Sequence, residues 1–229
     1  MINTPEDLYR AVLACKPGVE SSICLLHKPC KAHPLCSTTS TTEVLDFDAV
    51  EKELARGKRS NQPSCDGVTL NPERTIFCFL EIKGWREFVK RNINVPDSNL
   101  SADDKKKIEN KADSYNLKGK LEQSMDDCKE IANDSDLFLK FPFIYIIVTD
   151  IENEKSAAED IAANLSLLAE TASVWTYCDK SMKKRMDTLG DAVMKVYTHC
   201  RDFDTCIAGI HEHIIISRFW ILVSPLTIL

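Results

Sequence analysis

SCDGVTLNPERTIFCFLEIKGW, residues 64–85, holds the strongest structural signal in the chain. Two apolar runs flank NPER, where Asn71 and Pro72 supply turn chemistry, while the β-branched and aromatic residues on either side favour strands. An antiparallel hairpin is therefore expected. Along its second strand Phe77, Phe79, Glu81 and Lys83 share one face and Ile76, Cys78, Leu80 and Ile82 the other. The apolar run thus ends in two opposite charges on one face, Glu81 and Lys83, about 7 Å apart along the backbone. With the turn at residues 71–74, Asp66 on the first strand comes level with Leu80 or Glu81. Two carboxylates and a lysine then meet where the strand leaves the core.

Outward from the hairpin, the spacing predicts helices. Thr4 before Pro5, Glu6 and Asp7 is a capped start for a helix over residues 5–15, which Pro17 and Gly18 end. Residues 19–42 show no periodicity. DFDAVEKELARG, residues 46–57, reads as a second helix with Phe47, Val50 and Leu54 on one side and Gly57 as its stop. Ser101 with Asp104 has the form of a capping box and opens a third. In a helix over residues 117–132, Leu117, Leu121, Met125, Cys128 and Ala132 form the apolar stripe, with Lys118, Lys120 and Lys129 off it. Residues 141–149, continuously apolar, predict a buried strand. Further helices are expected over 155–172 and 181–200, and a strand-like stretch at the end, where Arg218 and Pro225 interrupt a run shorter than the ~20 residues of a membrane span. The order of elements gives an α/β fold, a mixed central sheet flanked by helices. One elaborated domain is expected over residues 1–229.

Composition agrees with a folded chain of 229 residues, 44% hydrophobic and 28% charged. A net charge of -6 excludes a generally basic coat but leaves room for a local basic cleft. No basic segment followed by an apolar one opens the sequence, so a cytoplasmic protein without a membrane partner is expected, its ten cysteines reduced thiols or metal ligands.

Two adjacent carboxylates repel unless a cation lies between them, and magnesium satisfies such a pair while keeping water and substrate phosphate in its remaining positions. A neighbouring lysine can orient water and stabilise charge on a phosphoryl oxygen. Asp66, Glu81, Ile82 and Lys83, on this hairpin and followed by a helix and a buried strand, resemble the PD-(D/E)xK nuclease superfamily, with the restriction-endonuclease-like fold. The resemblance covers a core of about residues 40–150, leaving the helices and strand of 151–229 without a counterpart. Cys65 stands where the motif's name has proline. The resemblance implies a magnesium- or manganese-dependent endonuclease, a hydrolase acting on DNA in a prokaryotic defence, restriction or repair system, alone as a homodimer or with a partner protein. Asp66 and Glu81 would be metal ligands, with the Ile82 carbonyl as a further one, and Lys83 would hold the nucleophile. The superfamily often adds an acidic residue from its first helix, for which Glu51, Glu53 and Glu43 are candidates, Glu51 first. It also places Lys or Gln on the following helix near the phosphate, which points to Lys118, Lys120 and Gln123. Arg86, next to Trp85, is a further candidate for nucleic-acid contact, although a tryptophan there also suits packing under the sheet edge.

Other constellations carry weaker signals. Cys24, His27, Cys30, His33 and Cys36 recur every three residues and could hold zinc, but Pro29 and Pro34 break any helix and no paired knuckle exists, so buried thiols in a loop are the simpler expectation. His199 with Cys200, or His211 with His213, would suit a Cys-His hydrolase, yet nothing in the sequence orients them. The lysines at 90, 105, 106, 107, 111, 118 and 120 with Arg91 make residues 83–120 locally basic and suit a backbone-binding groove. The interleaved Asp103, Asp104, Glu109 and Asp113 suit a solvated helix face equally well. A rival from another class is a non-catalytic scaffold that keeps the fold, with the Cys/His segment as a zinc-stabilised contact surface.

Overall fold

The computed structural model describes residues 2–32, 39–93, 100–151 and 165–211. In chain order these give α1 (Pro5–Cys15), β1 (Glu20–Ser21), α2 (Ile23–Leu26), α3 (Lys28–Ala32), β2 (Val44–Asp46), α4 (Phe47–Ala55), β3 (Gly67–Leu70) and β4 (Phe77–Lys83). They continue with α5 (Arg86–Asn92), α6 (Ala102–Asp113), α7 (Leu117–Ala132), α8 (Leu137–Lys140), β5 (Phe143–Thr149), α9 (Leu165–Asp187), β6 (Lys195–His199) and α10 (Phe203–Ala208).

The strands form one sheet in the order β1-β2-β3-β4-β5-β6. β1 to β4 pair antiparallel with one another, while β5 is parallel to β4 and β6 to β5. Over the described residues the chain is thus α/β, with a mixed six-stranded sheet and helices on both faces. On the face of Phe77 and Phe79, α1, α4, α6, α7, α8 and α9 bury the larger core. On the face of Cys78, Leu80 and Ile82, Ile23 of α2 and Phe203 and Ile207 of α10 close a smaller one. Phe79 is the hub of the larger core, meeting Phe77 at 5.1 Å and Phe143 at 6.0 Å edge to face. A fully buried aromatic of this size contributes roughly 1.5–3 kcal/mol.

Local chemistry fixes the elements around the hairpin. The Thr4 hydroxyl accepts from the Asp7 N–H at 3.1 Å while the Asp7 carboxylate accepts from the Thr4 N–H, a complete capping box for α1. Asp46 ends β2 and caps α4 by accepting from the Ala49 N–H. In the hairpin turn, buried Asn71 accepts through Oδ1 from the N–H groups of Thr75 and Ile76, at 2.9 and 2.8 Å, and Arg74 takes a left-handed φ of 58°. Gly67 opens β3 because a Cβ there would lie 2.6 Å from Val44 Cγ1 and 3.1 Å from the Leu45 carbonyl oxygen.

The sequence expectation fails at three places. The helix expected over 181–200 holds only to Asp187, where α9 ends; Gly190 then takes a φ of 79°, and Lys195–His199 pairs with β5 as a parallel strand. Val196 packs into the smaller core and Tyr197 against the larger one, a period-2 pattern too short to stand out beside an alanine- and lysine-rich helix. The helix expected over 155–172 and the separate one after it are, from Leu165 onward, a single helix, and residues 155–164 lie outside the described residues. Residues 19–42 hold a short strand and two short helices, set by pairing with β2 and burial of Ile23 and not by periodicity. The strand-like end, residues 214–229, also lies outside the described residues. Among the described residues no disulfide forms, and no helix is long and apolar enough to cross a membrane.

Candidate functional site

The hairpin register sets Gly67 opposite Leu80, so Asp66, one residue earlier, falls opposite Glu81. The Asp66 carboxylate substitutes for a ladder partner at the strand's end: Oδ2 accepts from the Ile82 N–H at 2.6 Å. The same oxygen accepts from Lys83 Nζ at 3.2 Å, and Lys83 Nζ also pairs closely with Glu81 Oε1. A second ammonium group arrives from α7. Lys120 Nζ lies 2.7 Å from Glu81 Oε1 and 3.5 Å from Asp66 Oδ1. Four charged side chains therefore meet where β4 leaves the core, Glu81 at 0% exposure, Lys83 at 10%, Lys120 at 19% and Asp66 at 21%.

One hydrogen bond explains why α7 delivers Lys120 inward. Ser124, one turn further along the same face, is buried and accepts from the Cys65 N–H at 2.8 Å, which anchors the helix to the residue before Asp66. Lys120 thus points to the sheet, not away from it as the apolar stripe suggested. Burial works against its ammonium form, but Glu81 and Asp66 outweigh that and raise its pKa. Burial dominates at Glu81 and pushes its pKa up to about 7, with Asp66 adding and the lysines opposing. Glu81 Oε2 has no hydrogen-bond partner among the described residues.

The other sequence candidates scatter. Glu51 is buried on α4 and accepts from Arg59 Nη1 at 2.5 Å and the Gln62 N–H at 2.8 Å, so a guanidinium already engages it. Glu53 pairs with Lys16 and Arg56, and Glu43 accepts from the Tyr9 hydroxyl. The α4 carboxylate that Asp66 and Lys120 act on is Asp48. It accepts from the Ser64 hydroxyl at 2.6 Å, and burial, with Asp66 adding, raises its pKa. Its signal in the sequence was its place two residues after the helix cap, on the turn nearest β3. Lys118 is exposed and pairs with Glu122, and Gln123 donates to Asp127. Arg86 donates through Nε to the Asp150 carbonyl, and Trp85 is fully buried. Ile82 pairs with Val148 of β5.

Two residues without an assigned place in the site stand beside the end of β4. Asp150 ends the β5 segment, fully buried, and accepts from the N–H groups of Trp85 and Arg86 at 2.5 and 3.3 Å. A carboxylate at the C-terminal end of a parallel strand was the available signal. His27, considered above only for zinc, is buried with Nδ1 3.2 Å from Cys30 Sγ, and its pKa is lowered by burial, with Asp150 and Asp66 opposing. Its Nε2 stands 2.9 Å from where a Cβ on Gly84 would sit, so only glycine leaves that space open. Cys24 is not drawn to this pair, since its sulfur accepts from the Ser40 N–H. His33 and Cys36 lie outside the described residues, as does His213. His199 Nδ1 accepts from the Arg201 N–H, and it stands 4.0 Å from Cys200 Sγ, too long to activate a thiol. His211 faces Glu73 at 3.0 Å.

Among the described residues no three His, Cys, Asp or Glu side chains form a ready metal site. Asp66 and Glu81 still fit a magnesium-type ion, which needs only one or two carboxylates and takes water and phosphate for the rest. Glu81 has an unpartnered oxygen, and the partners that neutralise the pair are ammonium groups on long, flexible stems.

Comparison with family models, curated proteins and solved structures returns no match.

Proposed function

We propose that this chain is a metal-dependent nuclease of the PD-(D/E)xK type, with DNA as its expected substrate. The observation that carries the reading is the convergence of Asp66, Glu81, Lys83 and Lys120 at the end of β4. The order of elements supports it: a helix, an antiparallel β2-β3-β4 unit carrying the motif on its last two strands, then α7 and the parallel β5. The chain departs from the resemblance in placing α4 between β2 and β3 and in adding β1 and β6 at the sheet edges.

Asp66 and Glu81 would hold a magnesium or manganese ion. Such an ion stabilises charge on the transferring phosphoryl group and favours deprotonated water at neutral pH. The chain's own groups do the rest. Lys83 Nζ, held between two carboxylates, orients the attacking water and stabilises the developing charge on phosphate oxygen. Lys120, paired with Glu81 Oε1 at 2.7 Å, does the same from the helix side.

The test is cleavage of DNA and RNA, single-stranded and duplex, in magnesium or manganese by the wild type, Lys83→Ala and Asp66→Ala. Cleavage lost in both variants supports the reading; equal inertness of all three across every substrate and metal overturns it. That second result favours a nuclease-like scaffold without catalysis, a reading to which one observation lends weight: the two lysines already neutralise the two carboxylates without an ion.

A further inference from the structure

We infer that Lys111 is a second phosphate-binding residue of this site, holding a phosphate near the scissile one in the bound strand. The inference rests on the nuclease reading and specifies how its substrate is gripped. Lys111 sits in the last turn of α6, half-buried, with Nζ 5.0 Å from the Tyr115 ring centroid and 5.8 Å from that of Phe88. The same buried Tyr115 ring carries Lys83 Nζ at 5.3 Å, and its hydroxyl donates to the Gly84 carbonyl at 3.4 Å. One aromatic ring therefore ties two ammonium groups to the end of β4.

Those two lysines differ in what neutralises them. Lys83 has Asp66 and Glu81, whereas Lys111 pairs with no carboxylate among the described residues. The acids of α6 cannot serve it, because each has its own partner. Asp103 and Asp104 pair with Lys107, Glu109 accepts from the Tyr177 hydroxyl, and Asp113 pairs with Arg185. A ring quadrupole offsets only part of an ammonium's lost hydration, so an uncompensated cation sharing a ring with Lys83 calls for an anion from outside. The sequence left the basic run undecided between groove and solvated face; the pairing resolves it for this one lysine. Resting on opposite sides of one ring would separate the two ammonium groups by at most roughly 10 Å, and strand phosphates recur about every 3.4 Å of helix axis, so Lys111 reaches a phosphate within about three nucleotides of the scissile one.

The experiment measures binding of fluorescent single-stranded and duplex oligonucleotides, DNA and RNA, across a salt series, with Lys111→Gln introduced into wild type and into cleavage-deficient Lys83→Ala. Removing one phosphate contact should flatten the slope of log K against log salt by about 0.9 for duplex or about 0.7 for single strands. In wild type it should raise KM about threefold to tenfold with kcat nearly unchanged. Lys111→Arg should restore both. Lys183→Gln is the control, a lysine also set over a ring, that of Tyr197 at 5.9 Å, but paired with Asp179 at 2.6 Å; it should change neither. If Lys111→Gln keeps the wild-type slope and KM, or if the wild type binds no oligonucleotide, the assignment is overturned. Binding with the expected slope change but no cleavage leaves Lys111 assigned and removes the nuclease reading; cleavage indifferent to Lys111 does the reverse.

Discussion

Two buried ion clusters lie under α7, one turn to two turns apart along the helix, and they differ in ways that separate structure from chemistry. At one, Arg59 bridges Glu51 and Asp127, at 2.5 and 2.7 Å, with Gln123 adding a hydrogen bond to Asp127. At the other, Lys83 and Lys120 bridge Asp66 and Glu81. Both contain a carboxylate whose pKa burial raises, Asp127 in the first and Glu81 in the second, so a shifted pKa does not distinguish them. Geometry does. In the first cluster both carboxylates are sealed and a planar guanidinium forks between them, fixing α4 to α7. In the second, Asp66 is partly exposed at the end of β4 and its partners are point charges on flexible stems, which a phosphate can draw away or a metal ion displace.

The contrast can be broken from either side. The largest expected effect is on activity: Lys83→Ala should lower cleavage by at least about 10² to 10³-fold, the usual cost of removing one group that stabilises transition-state charge. Its circular dichroism should remain that of wild type. Arg59→Ala should do the opposite, lowering stability by about 3 kcal/mol or more because Glu51 and Asp127 are left buried without a cation. Per-molecule activity of its folded fraction should be retained, and chemical denaturation with a parallel cleavage assay reads both. If Arg59→Ala abolishes turnover while stability holds, the division between the clusters is wrong.

A smaller effect concerns pH. The Glu81 pKa rises from an ordinary 4.5 to about 7 on folding, so between those values the folded state binds more proton than the unfolded state. Stability contributed by this group is then present at low pH and is lost as pH rises from about 4.5 to about 7, by on the order of 2–3 kcal/mol. Glu81→Gln should remove that slope, and denaturation midpoints at pH 5 and pH 8 would show it; an unchanged slope assigns the dependence to another group. The smallest effect is at the strand exit. Gly84→Ala should cost about 1 kcal/mol, since a Cβ would press on His27 Nε2 at 2.9 Å and Pro29 at 3.2 Å. The loss should shrink in the His27→Ala background, a coupling that a double-mutant cycle measures.

What was legible in the sequence follows from how local its cause is. The cap at Thr4, the turn at Asn71 and the register that sets Asp66 opposite Glu81 arise within a few residues, and they stand where the spacing put them. Spacing alone does not single out Lys120 among the candidates Lys118, Lys120 and Gln123, because its inward turn depends on Ser124 holding the Cys65 backbone across 59 residues of chain. Asp48 is missing from the sequence candidates Glu51, Glu53 and Glu43 for a similar reason: which side of α4 faces the site is set by Arg59 capturing Glu51, a partner that helical spacing does not reveal. The strand β6 was lost to a helix for want of length, since five residues of alternation gain their meaning only beside β5.

The bond from Ile82 N–H to Asp66 Oδ2 gives the molecule a built-in reporter. Because this amide near the end of β4 is held by the group proposed to bind the ion, its exchange with deuterium times the opening of that carboxylate. Slower exchange with added magnesium would show the ion tightening the strand end. Faster exchange would show the carboxylate turning outward to take it, which releases the amide.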